Sequence, residues 1–159
     1  MKTASVKELR LALSERSPKE LLEICLRLSR FKKENKELLT YLLFEASDEM
    51  SYIQSIKQLM DHEFTEINSR SFFYIKKSIR KILRNTKKYI RYSKKKETEV
   101  ELLLYFCKKL QAFRPSISRN RVMKNLYYRQ LEFIERKLEK LHEDLQYDYG
   151  VELENLREL

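Results

Sequence analysis

Residues that break helices or shape turns are nearly missing from this sequence: its 159 residues include one glycine, Gly150, and two prolines, Pro18 and Pro115. Glycine and proline punctuate turns, hairpins and strand ends, so their scarcity excludes an all-β or α/β chain and points to helices joined by short polar connections. A single glycine also rules out the Gly-rich loops that cradle phosphates in Walker-type and Rossmann-type nucleotide sites. Imidazole is limited to His62 and His142 and thiol to Cys25 and Cys107, which leaves little for a triad-type hydrolase and makes no disulfide framework. Both cysteines sit among apolar neighbours at helical spacing and are expected in the core.

Long apolar runs are absent as well. The longest stretches, Leu38 to Phe44 and Leu102 to Cys107, fall far short of the roughly 20 residues that span a bilayer. The first residues alternate charged and apolar side chains without a signal-peptide core. A cytoplasmic, non-integral protein is expected.

What the chain does contain is charge: 34 Lys or Arg against 24 Asp or Glu, a net +10. Helix starts are marked by Ser or Thr followed three residues later by Glu, a pairing that satisfies two orphan backbone donors. Ser5/Glu8, Ser17/Glu20 and Thr98/Glu101 have this form, and Pro18 stands at the first helical position after Ser17. Asn35, Ser47 and Ser116 or Ser118 are further candidate caps. The expected fold is all-α, with about seven helices near residues 5–15, 18–31, 36–46, 48–65, 68–92, 98–113 and 118–147. Residues 1–159 are taken as one domain: a short-helix half (1–66), a long-helix basic half (67–147) and an acidic tail (148–159). The stretch from Ser17 to Ala46 has the pattern of the helical hairpins repeated in HEAT-like solenoids, packed on a bundle of longer helices, although no second copy recurs at a fixed period.

Three patterns stand out within the helices. The third is apolar nearly all round (Leu38, Leu39, Tyr41, Leu42, Leu43, Phe44) and should be the most buried. The fourth carries one stripe, Ile53, Ile56, Met60, Phe64 and Ile67. In the seventh, Tyr127, Leu131, Ile134, Leu138, Leu141 and Leu145 alternate steps of four and three, a heptad seam suited to packing on another long helix, internally or in a homo-oligomer.

The positive charge is uneven. Residues 1–66 hold 11 basic and 12 acidic side chains, 67–131 hold 19 and 3, and 132–159 hold 4 and 9. Positions 67–96 contain twelve cations and no acid. At 100° per residue, Lys77, Lys81, Arg84, Lys88, Arg91 and Lys95 lie within about 40° of one direction, while Phe72, Ile75, Ile79, Ile82, Leu83 and Ile90 point the other way. Like charges at this spacing repel by a few tenths of a kcal/mol each, and a merely solvated face usually mixes both signs. Such a stripe attracts phosphate backbones by counterion release. Lys108, Lys109, Arg119, Arg121, Lys124 and Arg129 extend the basic surface, and Phe73, Tyr74, Tyr92, Tyr127 and Tyr128 lie where rings could stack on unpaired bases.

The expected function is therefore a non-enzymatic binding module for nucleic acid without sequence reading, since no Gly-containing helix-turn-helix connection joins the basic helices. The alternative is a protein–protein scaffold that meets an acidic partner or associates through the seam at Leu131, Ile134, Leu138, Leu141 and Leu145. The stripe could also simply balance the acidic C-terminal block or keep the chain soluble. A membrane-surface role is disfavoured, because the apolar face opposite the stripe is rich in Ile and looks built for a core. Glu139 and His142 have the spacing of di-iron carboxylate bundles, but the matching position before His62 is Leu59, so neither metal nor cofactor is expected.

Overall fold

The computed structural model describes all residues from Met1 to Leu159. The chain is all-α and divides into two compact units, Met1–Phe44 and Glu45–Leu159. The boundary therefore falls well before residue 66. No helix is long and apolar enough to cross a membrane.

The first unit contains α1 (Val6–Ser14), α2 (Pro18–Phe31) and α3 (Lys33–Thr40). Both expected capping boxes are present here: the Ser5 backbone N–H donates to Glu8 Oε2 at 2.7 Å, and that of Ser17 to Glu20 Oε2 at 2.8 Å. For Glu8 the Ser5 hydroxyl, which also donates to Oε2 at 2.7 Å, and then that N–H, and for Glu20 chiefly the Ser17 N–H, hold the carboxylate below its ordinary pKa. The third helix starts earlier than Asn35, after an extended Lys32. Asn35 instead donates from Nδ2 to the Leu28 carbonyl at 2.8 Å and ties α3 back to α2.

The expected burial of this helix is not found. Its C-terminal end passes into a π-helical turn, Tyr41–Glu45, where Tyr41 is buried but Leu42, Leu43 and Phe44 are exposed. Cys25, expected in the core, is also exposed, and it lines an open groove of about 230 Å³ with Leu28, Leu38, Leu39 and Leu42. A dense apolar run secures burial only when another element covers it, and three short helices supply too little surface to do so.

The second unit holds α4 (Glu49–Thr65), α5 (Phe72–Ser93), α6 (Lys96–Ala112), α7 (Arg121–Leu138) and α8 (Glu143–Asn155), with a 3₁₀ turn at Ile117–Arg119 before α7. Its centre is α6, which packs against the other four. Val100, Leu102, Leu103, Leu104, Phe106, Cys107 and Leu110 are all buried, and only a narrow strip along Glu97, Glu101, Tyr105 and Lys108 is exposed or partly exposed. The surrounding helices bring single stripes: Ile53, Ile56, Met60 and Phe64 from α4; Ile75, Ile79, Ile82, Leu83 and Ile90 from α5; Met123, Tyr127, Leu131, Ile134 and Leu138 from α7.

Pairings along the helices fix their directions. Tyr52 on α4 donates to the Tyr89 carbonyl on α5, Lys137 on α7 pairs with Glu99 on α6, and Gln111 on α6 donates to the carbonyls of Asn155, at the end of α8, and Glu158, just beyond it. Thus α4, α6 and α8 run one way, α5 and α7 the other.

Thr98/Glu101 is not a capping box. Helix α6 begins at Lys96, so Thr98 lies inside it and donates to Glu49 Oε1 at 2.6 Å, while Glu101 takes Lys57 at 2.6 Å. The expected seventh helix is two helices. The chain leaves α7 through tightened turns at Lys140 and Leu141, and His142, extended, caps α8 by accepting from the Asp144 N–H at 3.3 Å. Glu143 and Asp144 then complement the dipole of the new N-terminus.

A continuous heptad ridge consequently does not exist. Leu131, Ile134 and Leu138 are buried in the unit's own core, whereas Leu141 sits in the turn and Leu145 on α8. Nor is 148–159 a tail: α8 folds back antiparallel to α7, Leu153 and Leu156 are buried, and the Tyr127 hydroxyl donates to the Leu156 carbonyl at 2.6 Å.

Gly150 lies within α8, where a Cβ would meet only Leu138 Cδ2 at 4.0 Å, an ordinary contact. Alanine there restricts the unfolded chain and favours the helix without a clash. Gly150→Ala should raise unfolding stability by about 0.5–1 kcal/mol, read as a higher denaturant midpoint at unchanged slope; a lower midpoint would count against this placement of α8.

Candidate nucleic-acid interface

Helix α5 spans about 33 Å at 1.5 Å per residue. Its alternation of Ile with Lys or Arg produces one apolar and one cationic side, and the apolar side is the buried one: Ile75 and Ile79 are fully buried and Ile82 nearly so. On the other side Lys77, Lys81, Arg84 and Arg91 are exposed, and no ion pair joins any of them to an acid. Arg80 is exposed beside them.

Two expected members of the stripe are placed differently. Lys88 is half-buried, with Nζ over the Tyr89 ring at 4.8 Å. Lys95 lies beyond the helix: the chain turns at Lys94 in the left-handed conformation (φ 59°), and Lys95 pairs with Glu49 at 3.0 Å. The free ladder therefore ends at Arg91.

Acids of this unit are engaged by groups other than the four free cations, among them Glu63 by Asn85 of α5 at 2.7 Å. Glu49 accepts from Ser93 and Thr98 as well as Lys95, Glu99 takes Lys137 at 3.0 Å, and Asp61 takes Lys109 at 2.9 Å. The acidic C-terminal block does not neutralise the ladder: α8 packs on α6 and α7, and Arg157 takes up Glu135 and Glu154. Lys109 is thus part of an internal pair, and Lys108 faces a cleft shared with Glu101 and Glu152, so neither extends the basic face.

Arg119, Arg121 and Lys124 are exposed at the start of α7. Because α5 and α7 are parallel, they stand at the same end of the unit as the start of α5. Phe73 and Tyr74 open α5 there, 67 % and 47 % exposed, and meet edge to face with centroids 5.4 Å apart. Tyr127 is fully buried and Tyr128 half-buried, so the aromatics on α7 are core rather than surface.

Comparison with protein-family models, with curated proteins and with solved structures gave no match to this chain.

The chemistry available elsewhere is limited in kind. Burial pushes the Cys107 thiol up to about 12, away from the thiolate a nucleophile needs. Glu139 lies in the turn after α7 and His142 caps α8, so they do not share a helix, and no group of three or more His, Cys, Asp or Glu side chains is set to hold a metal ion. The most structured polar cluster ties α4 to α6: the Tyr105 hydroxyl donates to both Asp61 oxygens at 2.7 and 2.8 Å beside Lys109. Burial and the Asp61 carboxylate together raise the Tyr105 hydroxyl to about 12. For Asp61 burial acts upward, yet the Tyr105 and Lys109 bonds prevail and hold it below its ordinary 3.8.

A carboxylate depressed on folding stabilises the fold above its unfolded pKa and loses that contribution as pH falls through the folded one. With Asp61 partly solvated, the effect should stay below about 1 kcal/mol. The stability gap between the protein and Asp61→Asn should be full at neutral pH and shrink as the pH falls below the ordinary carboxylate value, as denaturant midpoints measured across an acid pH series will show; a gap independent of pH contradicts this assignment.

Proposed function

We propose that this protein is a non-enzymatic helical binding module that holds nucleic acid by its phosphate backbone along the outward face of α5, without reading sequence. The observation that carries this reading is the set of unpaired cations at Lys77, Lys81, Arg84 and Arg91, exposed along one helix that contains no acid at all. Cations at three- and four-residue spacing repel one another, and the unit has acids enough to pair them, yet none pairs with these four; Glu63, which reaches the middle of α5, accepts from Asn85 instead. An unneutralised row of charge gains most from a ligand that is itself a row of opposite charge, because each contact releases condensed counterions. Arg119, Arg121 and Lys124 supply a second cluster at one end of that row.

With four to six phosphates engaged, log K should fall with log salt at a slope of about −3 to −5. Reversing Lys77, Lys81 and Arg84 to Glu should weaken binding at low salt by at least about tenfold and flatten the slope, with helicity unchanged because all three side chains are exposed. Fluorescence anisotropy with labelled DNA and RNA across a salt series decides the matter. Absence of binding at low salt, or binding indifferent to the triple reversal, would end this reading.

A scaffold role with an acidic protein partner is the second reading, and the first unit is where an observation favours it. Val6, Leu9, Leu22, Leu26, Phe31, Leu43 and Phe44 are all exposed there, more apolar surface than isolated surface residues account for. Among its ten Lys or Arg, only Arg16 and Lys33 are ion-paired. That excess charge matches an acidic partner and opposes pairing of two identical copies. Sedimentation velocity over a wide concentration range should accordingly give a monomer; a concentration-dependent dimer abolished by Leu22→Glu with Leu26→Glu would replace the acidic partner with a second copy.

A further inference from the structure

We propose that the α5 face prefers single-stranded over double-stranded nucleic acid, with Phe73 and Tyr74 as the platform on which unpaired bases stack; this rests on the nucleic-acid reading above. The first ground is direction. At 100° per residue Phe73 falls about 40° from Lys77, on the side of Arg91, and Tyr74 about 60° to the other side. The two rings thus bracket the line of the cations and point away from Ile75 and Ile79, which are fully buried. Phe73 continues the ladder by one turn beyond Lys77 and puts a ring where the pattern would otherwise put a charge.

The second ground is that the fold makes little use of these rings. Phe73 keeps 67 % of its surface exposed and Tyr74 keeps 47 %. Their one ring contact is with each other, at 81° between planes, and the Tyr74 hydroxyl has no hydrogen-bond partner within the protein. The other aromatics of α5 differ: Tyr89 and Tyr92 are half-buried and contact one another, and Lys88 covers the Tyr89 ring. Edge-to-face geometry leaves at least one ring face open. A flat, open aromatic face beside Lys76 and Lys77 is what a base with an unstacked face requires.

The third ground is what a duplex can offer. In a double helix the base faces are occupied by their neighbours, so exposed rings gain nothing unless the stack is opened. A straight, convex helix meets the curving backbones of a duplex over a short arc. A flexible single strand can instead follow Lys77, Lys81, Arg84 and Arg91 at about 7 Å of rise per cation on average while its bases turn toward the rings at the head of the row. The cations then supply salt-dependent attraction to either form, and the rings supply the discrimination.

The experiment compares a labelled oligothymidylate of about 16 nucleotides, near the upper site size of single-strand modules, with a mixed-sequence duplex of the same length at one salt concentration. The full chain should bind the single strand more tightly. Phe73→Ala with Tyr74→Ala should weaken single-strand binding by between about fivefold and a hundredfold per stacked base, with duplex affinity and the salt slope unchanged. Phe73→Tyr with Tyr74→Phe should retain wild-type binding, which separates loss of stacking from a disturbed helix. Equal or tighter binding of the duplex, or single-strand binding indifferent to the alanine pair, overturns the preference while leaving phosphate binding intact. Failure of both probes to bind at low salt overturns the parent reading along with it.

Discussion

Everything in the second unit depends on the need to cover the broad apolar surface of α6. Leu102, Leu103, Leu104, Phe106 and Leu110 project over more than half of the circumference of that helix and each is essentially removed from water. At about 1.5–3 kcal/mol per fully buried large side chain, no arrangement that left these side chains in water would compete with the observed one. Four helices are needed for the purpose, and α4, α5, α7 and α8 supply them. The ion pairs Lys57–Glu101, Lys109–Asp61 and Lys137–Glu99 lie at the margins of these contacts, where partial solvation limits each to a fraction of a kcal/mol. They set register and direction more than they add stability.

This requirement also explains why α5 can present an unbalanced face. Its place beside α6 is secured by Ile75, Ile79, Ile82, Leu83 and Ile90, whose burial outweighs the few tenths of a kcal/mol lost to each repelling pair of cations. Core packing consumes one side of the helix and leaves the composition of the other unconstrained. Nothing in the packing of the unit calls for twelve cations and no acid between residues 67 and 96.

How much was legible in the sequence followed from how local the controlling interaction was. The α4 and α5 stripes were plain because one face of each is apolar at a helical period. The boxes at Ser5 and Ser17 were plain because both partners lie within one turn. Thr98 and Glu101 have the same form but are claimed by Glu49 and Lys57 from a helix some 40 to 50 positions earlier, and such competition leaves no local trace. The end of α7 carries no glycine or proline; its signal is the pair Glu143 and Asp144 after His142, a weak cap within an otherwise periodic run. The apolar run from Leu38 to Phe44 and the centre of α6 look alike as strings. They differ only in having, or lacking, neighbours to cover them.

The candidate surface shows the same division. Direction along α5 was readable from periodicity, but the state of each cation was not. Lys95 and Arg91 are equivalent on a helical projection, yet the left-handed turn at Lys94 delivers the first to Glu49 and leaves the second in solvent. Arg119, Arg121 and Lys124 are separated from Phe73 by more than 40 residues, and only the down–up–down course of α5, α6 and α7 returns them to the same end of the unit. Had α7 run the other way, its basic start would face Glu49 and Glu99 and be neutralised there. The antiparallel order thus brings Arg119, Arg121 and Lys124 to the end of the unit where Phe73 and Tyr74 open α5, while Glu49 and Glu99, with Lys95 and Lys137, lie at the opposite end, where α6 begins.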